Sequence, residues 1–153
     1  MLGLSELVGV IEVFLAAKKA ASESIRWSPK DHPDYHECSI PMITEDFPHF
    51  NARLVLSAHT SRLPRKYGFT LLLGGEKALR LDVNPGSSHF DPVTLTAVSD
   101  THWQPWPGTR AIKDSRDLNH LGWFNKFLTK ARIEYSGVYV APPFTGGQQL
   151  RLV

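Results

Sequence analysis

The chain has 153 residues, 42% hydrophobic and 21% charged, so it is long enough to bury a core and has an ordinary globular composition. Its formal net charge of +2 is too small to indicate nucleic-acid binding by electrostatics alone. The single cysteine, Cys38, excludes an internal disulfide, which favours a cytoplasmic protein. We expect one domain over residues 1–153, because no repeat or linker interrupts the sequence.

The first predicted element is a helix from about residue 4 to about residue 24. Apolar residues recur there at helical spacing, and Lys18 and Lys19 lie near the end, where cations suit the helix dipole. The reverse side is also apolar, so the helix is predicted to lie in the core or, alternatively, in a homodimer interface. Glu6 and Glu12 interrupt the apolar run, which argues against a signal peptide or a membrane span.

Two histidines and the cysteine fall within seven residues: His32, His36 and Cys38. Imidazole and thiolate are the ligands that zinc prefers in proteins. However, Pro33 prevents a regular helix from starting at His32, and no second Cys/His pair with finger spacing follows, although His49 is a candidate fourth ligand. The segment is therefore predicted to be a solvated loop with a small buried thiol, and we predict neither a metal nor another cofactor.

The middle of the chain has the patterns of an antiparallel sheet. Apolar and polar residues alternate or form short apolar runs, and Gly74-Gly75 is a typical hairpin turn. A proline in the first segment favours an edge position. We predict a short edge strand at 39–44, followed by a meander of strands at 52–60, 67–73 and 77–83, with a basic connection at 61–66.

The stretch 79–108 is the candidate functional region. Alternation places Arg80 and Asp82 together on the polar face of a strand, and residues 93–98 alternate again. His89 lies between these two segments and His102 follows the second. If the segments are hairpin neighbours, the histidines lie at opposite ends of the sheet. If 93–98 is an irregular excursion, they converge. The sequence leaves both arrangements open.

A second amphipathic helix is predicted over residues 115–131. Asp114 and Ser115 are the candidate N-caps, and an apolar stripe follows. His120, Trp123 and Phe127 form one row, which is more typical of packing than of chemistry. A last strand is expected at 133–140, and residues 150–153 form a short strand or fray. The fold class is therefore α+β: an antiparallel sheet of about four to six strands, with an N-terminal helix and the 115–131 helix packed on it.

Several strong catalytic motifs are absent, including the P-loop, GxGxxG, HExxH, CxxC and GxSxG. We therefore expect a small intracellular binding protein whose polar loop cluster engages a protein or a phosphate-bearing partner such as RNA, and no membrane. Tryptophans are frequent interface anchors, and prolines lower the ordering cost of a loop. The candidate binding residues are Asn84, Ser88, Trp103, Gln104 and Trp106.

The alternative is a metal-independent, RNase-like enzyme of toxin type. Such a reaction needs an acid, a base and a cation that stabilises the phosphorane. His89 and His102 suit the proton transfers near neutral pH, Arg80 supplies a cation, and Asp82 can orient a histidine. This hypothesis depends on whether the two histidines meet.

Overall fold

The structure, a computed structural model, describes residues 3–44, 51–85, 90–91, 96–97 and 100–145. Within these ranges there are two helices and eleven short or medium strands. They are α1 (Leu4–Ala16), β1 (Lys19–Ala21), β2 (Ser28–Lys30), β3 (His32–Pro41), β4 (Ala52–His59), β5 (Lys66–Leu73), β6 (Glu76–Val83), β7 (Phe90–Asp91), β8 (Thr96–Ala97), β9 (His102–Pro105), β10 (Ile112–Lys113), α2 (His120–Ala131) and β11 (Ile133–Tyr135).

Seven strands form one sheet in the order β10-β9-β6-β5-β4-β3-β2, with every neighbouring pair antiparallel. The predicted α+β class and the central meander β4-β5-β6 are confirmed. Gly74 and Gly75 both have positive φ at the predicted hairpin turn, a conformation that glycine adopts without steric cost. Strands β1 and β11 form a separate parallel pair, and β7 pairs with β8.

The sheet has seven strands, more than the four to six predicted, because β2, β9 and β10 were not predicted as strands. In addition, β3 begins at His32, before the predicted start at residue 39. The sequence analysis assigned this segment to a loop because of its proline and its polar residues. Pro33 lies ahead of Tyr35, where pairing with β4 begins, so its missing donor removes no hydrogen bond from that ladder. The predicted edge strand is thus the end of a ten-residue strand that pairs with β4 on one side and β2 on the other.

Helix α1 ends at Ala16, eight residues before the predicted end at about residue 24. The reason is Lys19, which begins β1 and is only 2% exposed. Its ammonium donates to the carbonyls of Leu15 (3.3 Å), Ala17 (2.8 Å) and Ala131 (2.6 Å). These groups lie at the C-terminal ends of α1 and α2, where helices leave carbonyls unsatisfied. One buried cation therefore ties the ends of both helices together.

Helix α2 begins at His120, later than the predicted residue 115. Asn119 is the N-cap, and its side chain accepts a 2.8 Å hydrogen bond from the Gly122 N–H. Asp114 does not cap the helix, because its carboxylate accepts hydrogen bonds from Arg116 and from the Trp103 indole. The predicted last strand is shortened to β11, and the predicted segment 150–153 lies outside the described residues.

The two faces of the large sheet differ in chemistry. Leu56, Phe69, Leu81 and Trp103 are register partners across β4, β5, β6 and β9, and all are buried. Phe127 of α2 stacks on this face, 5.6 Å from the Phe69 ring and 6.0 Å from the Trp103 ring. Side chains alternate along a strand, so the residues between these positions point to the opposite face, which is polar. In the described part of the chain, neither helix is long and apolar enough to cross a membrane.

Candidate functional site

A pocket of about 250 Å³ lies on the polar face of the sheet, opposite α2. Its walls come from two neighbouring rows of side chains that run across the strands β3, β4, β5, β6 and β9. The first row contains Tyr35, His59, Lys66, Asn84 and Asp100, and the second contains Ser57, Gly68, Asp82 and His102. The site thus depends on strand register, because strand pairing brings together side chains that are as far apart in the sequence as Tyr35 and His102.

Gly68 lies beneath the Arg80–Asp82 ion pair in the second row. A Cβ atom at this position would lie 3.2 Å from Nη2 of Arg80 and 3.3 Å from Oδ1 of Asp82. Both distances are shorter than ordinary van der Waals contacts, so a side chain here would displace the ion pair that lies over the glycine. The absence of a side chain at Gly68 therefore lets the charged groups of β6 lie flat against the sheet.

Arg80 and Asp82 form the central ion pair of the pocket. The distance between Nη2 of Arg80 and Oδ1 of Asp82 is 2.7 Å, and Nε of Arg80 lies 3.0 and 3.1 Å from the two carboxylate oxygens. Nη1 of Arg80 donates a further 2.7 Å hydrogen bond to the hydroxyl of Thr70. A bidentate pair of this kind fixes both side chains in one geometry.

His102 joins this network through both of its ring nitrogens. Nε2 lies 3.4 Å from Oδ2 of Asp82, and Nδ1 lies 2.8 Å from the backbone carbonyl oxygen of Asp100. The ring is therefore held between two oxygen atoms of the protein. In this conformation neither nitrogen is free for a ligand, so the network organises the pocket more than it reacts in it.

His59 and Lys66 supply the basic end of the pocket. They are register partners at the adjoining ends of β4 and β5. The pKa of His59 is lowered by burial and, to a smaller extent, by the positive charges of Lys66 and Arg62. Its ring packs against Tyr35, with 5.1 Å between the ring centroids. Among the described residues, no carboxylate pairs with Lys66.

The sequence analysis did not include His59 or Lys66 among the site residues. The alternation in 52–60 does place His59 on the polar face with Ser57, and that was the available signal. The sequence does not show which residue of β5 pairs with His59 across the connection that follows β4. The pairing of His59 with Lys66 sets the register of these two strands, and it brings Lys66, the last residue of the predicted basic connection, to the pocket.

The structure brings four of the predicted site residues together in or beside the pocket: Arg80, Asp82, Asn84 and His102. The strand β6 pairs with β9, so the segment 93–98 is not its hairpin neighbour. Only residues 96–97 of that segment are described, and they pair with β7. The predicted residues Ser88 and His89 lie outside the described residues.

Three predicted site residues do not line the pocket: Trp103 and Gln104 of β9, and Trp106 just after it. Trp103 is 5% exposed on the core face, and its indole N–H donates to Oδ2 of Asp114 at 3.0 Å. Gln104 is the register partner of Arg80 on the polar face, but it does not line the pocket. Trp106 is half-buried and packs against the hydrophobic core. The tryptophans are thus separated from the polar network.

The segment with His32, His36 and Cys38 lies on β3 and not in a loop. His36 and Cys38 share the face of the strand that points to the core, whereas His32 is exposed. Burial is the main cause that raises the pKa of the Cys38 thiol, so the neutral thiol is favoured. No group of three or more metal-ligating side chains occurs within the described ranges, and His49 lies outside them.

His120 is a second histidine with an altered pKa, but it belongs to the core. Its ring lies 4.7 Å from that of Tyr67 and 5.2 Å from that of Phe69. Nδ1 contacts the Tyr139 hydroxyl at 2.5 Å, while Nε2 is buried without a hydrogen-bond partner in the described structure. Burial lowers the pKa of His120 to about 3, which keeps the ring neutral.

Comparison of the chain with protein-family models, curated proteins and solved structures finds no match. The pocket combines a fixed network at Arg80, Asp82 and His102 with a neighbouring pair of basic residues, His59 and Lys66. Such an arrangement can hold an anionic group against the sheet through charge and hydrogen bonds.

Proposed function

We propose that the protein is a binding protein whose pocket holds the anionic group, a phosphate or a carboxylate, of its ligand. The single observation that carries this proposal is the pairing of His59 with Lys66 beside a preformed pocket. The ammonium of Lys66 attracts an anion, and the neutral imidazole of His59 beside it can donate a hydrogen bond to the same anion. Lys66 is only half-exposed and has no carboxylate partner among the described residues, so an anion would satisfy it.

The rigid surroundings support binding over an ordinary solvated face. Arg80, Asp82 and Thr70 hold one another by short hydrogen bonds, and His102 is fixed from two sides. Preorganised groups lose little entropy when a ligand arrives, which favours affinity. The ligand would therefore meet a pocket that is already formed, and only the side chain of Lys66 would need to order.

A protein partner at residues 103–107 has less support, because Trp103 is buried and Trp106 is half-buried. A homodimer through α1 remains a proposal. Ile11 and Phe14 face the core, whereas Val13 is 57% exposed. We keep the cytoplasm as the proposed location, since Cys38 is a free buried thiol that makes no disulfide.

The RNase-like reaction is the second candidate, and one observation favours it: two histidines, His59 and His102, line one pocket. In such a reaction His59 would be the base and His102 the acid. His102 would first have to release Asp82 or the carbonyl of Asp100. Cleavage of RNA that is lost in both the H59A and H102A variants would support this candidate, and full activity in either variant would remove it.

The binding proposal is tested by titrating the protein with sodium sulfate, followed by isothermal calorimetry or NMR. We expect saturable, weak binding that the Lys66→Ala variant reduces at least tenfold, because the main cation is gone. The matched control is Lys77→Ala, since Lys77 is exposed near the opposite end of the β5–β6 hairpin. Equal losses in the two variants, or no saturable binding by the unaltered protein, would contradict the proposal.

A further inference from the structure

The pocket has an acidic end as well as a basic end. Asp100 lies in the same cross-strand row as Lys66, with Asn84 between them. The register of Tyr67 with Val83 continues to Lys66 and Asn84, and the N–H of Asp100 donates to the Asn84 carbonyl at 3.0 Å. Two strand spacings of about 4.8 Å therefore place the Cα atoms of Lys66 and Asp100 roughly 10 Å apart.

The charge of Asp100 is not neutralised in the way that the charge of Asp82 is. Asp82 is paired with Arg80 and faces His102. The backbone of Asp100 is held by hydrogen bonds on both sides, but among the described residues its carboxylate has no Lys or Arg partner. Within the described ranges, the charged groups that line the pocket without an ion-pair partner are thus Lys66 at one end and Asp100 at the other.

The size of the pocket limits what can bridge these two charges. Its volume of about 250 Å³ is below the roughly 300–1,000 Å³ of sites that hold drug-sized ligands. A polyanion is disfavoured, because a second phosphate would meet the carboxylate of Asp100. A small molecule with an anion at one end and a protonated amine at the other would match both charges.

We propose that the ligand of this pocket is a small zwitterion, with a phosphate bound by His59 and Lys66 and an ammonium group bound by Asp100. The inference rests on the proposed anion-binding function and adds the second half of the ligand. The ammonium donates hydrogen bonds to the Asp100 carboxylate, and the amide of Asn84 lies between the two ends. Free phosphoamines and the headgroups of amino-phospholipids share this chemistry.

The test compares two probes that differ by one amine, O-phosphoethanolamine and ethyl phosphate, by calorimetry at pH 7.5. We expect the first to bind at least fivefold more tightly to the unaltered protein. Asp100→Asn should abolish this preference while the binding of ethyl phosphate persists. The matched control is Glu76→Gln, because Glu76 is exposed at the opposite end of β6.

The outcomes separate the two proposals. Equal affinity of the unaltered protein for both probes would overturn the zwitterion and leave anion binding intact. No saturable binding of either probe would overturn both proposals.

A second experiment uses phosphatidylcholine vesicles with and without phosphatidylethanolamine. Sedimentation with only the vesicles that contain phosphatidylethanolamine would assign the amine to a lipid headgroup. Binding of the free probe without sedimentation would assign it to a soluble phosphoamine.

Discussion

The same strands build two regions with opposite chemistry, the aromatic core beneath the sheet and the polar pocket above it. Both regions contain a histidine whose pKa is lowered by burial. His120 is surrounded by aromatic rings and has one hydroxyl partner. His59 lies beside a cation at the edge of a cavity. A lowered pKa alone therefore does not mark a binding site, and the neighbouring charges and the accessible space distinguish the two.

The two faces of the sheet also differ in the side chains that cover them. On the core face, side chains of α2 cover the row of Leu56, Phe69 and Leu81. On the polar face the neighbouring position in β5 is Gly68, which is covered by the Arg80–Asp82 ion pair and not by apolar side chains. One residue along the strand thus separates a position in the aromatic core from a position beneath the polar network.

The largest effect is expected from truncation of the core. Phe127→Ala removes a ring that is 0% exposed and stacks on Phe69 and Trp103. We expect the free energy of unfolding to fall by about 3–5 kcal/mol, since the change removes buried apolar surface and leaves a cavity. Urea denaturation measures it. The Phe127→Ala protein that remains folded should still bind sulfate. Loss of sulfate binding without loss of stability would contradict the division between a stabilising core and a binding pocket.

A smaller effect is expected from protonation of the core histidine. The pKa of His120 is about 3 in the folded protein and 6.5 ordinarily. Below pH 6.5 the unfolded chain binds a proton that the folded protein does not, so stability falls as the pH falls. The loss should be about 2–3 kcal/mol by pH 4.5. Urea denaturation should show a flatter pH dependence for His120→Gln, and an unchanged slope in that variant would contradict this account.

The smallest effect is expected in the pocket, where His59 gains a charge at acidic pH. Because its pKa is lowered from 6.5, the ring is mostly neutral at pH 7.5 and becomes charged as the pH falls below 6.5. The affinity for sulfate, whose own charge is constant in this range, should therefore rise as the pH is lowered from 7.5 to below 6.5. Calorimetry should show no such rise in sulfate affinity for the His59→Asn variant. A rise as large as that of the unaltered protein would exclude His59 as its source.

Much of the fold could be predicted from local patterns. The alternation in 52–60 and 77–83 and the Gly74-Gly75 turn predicted the central meander. The end of α1 could not be predicted, because Lys19 is bound by Ala131, a residue 112 positions away. The start of β3 was missed because its proline and polar residues are typical of loops, while its pairing partners lie on other segments.

The candidate site could be predicted only in part for the same physical reason. Arg80 and Asp82 lie on β6 and Asn84 directly follows it, all at period two, so a single stretch of sequence indicates that they share a face. His59 and Lys66 come from two other strands. Their approach to Asp82 depends on hydrogen-bond register between strands, and neither composition nor local periodicity contains that information.

The most direct test of the central claim is an NMR titration of the histidine rings with pH, in the absence and presence of sulfate. His59 is the reporter, and exposed His32 on β3 is the internal reference. If an anion binds between His59 and Lys66, sulfate should raise the pKa of His59 and leave the titration of His32 unchanged. An identical titration curve of His59 with and without sulfate would contradict the account.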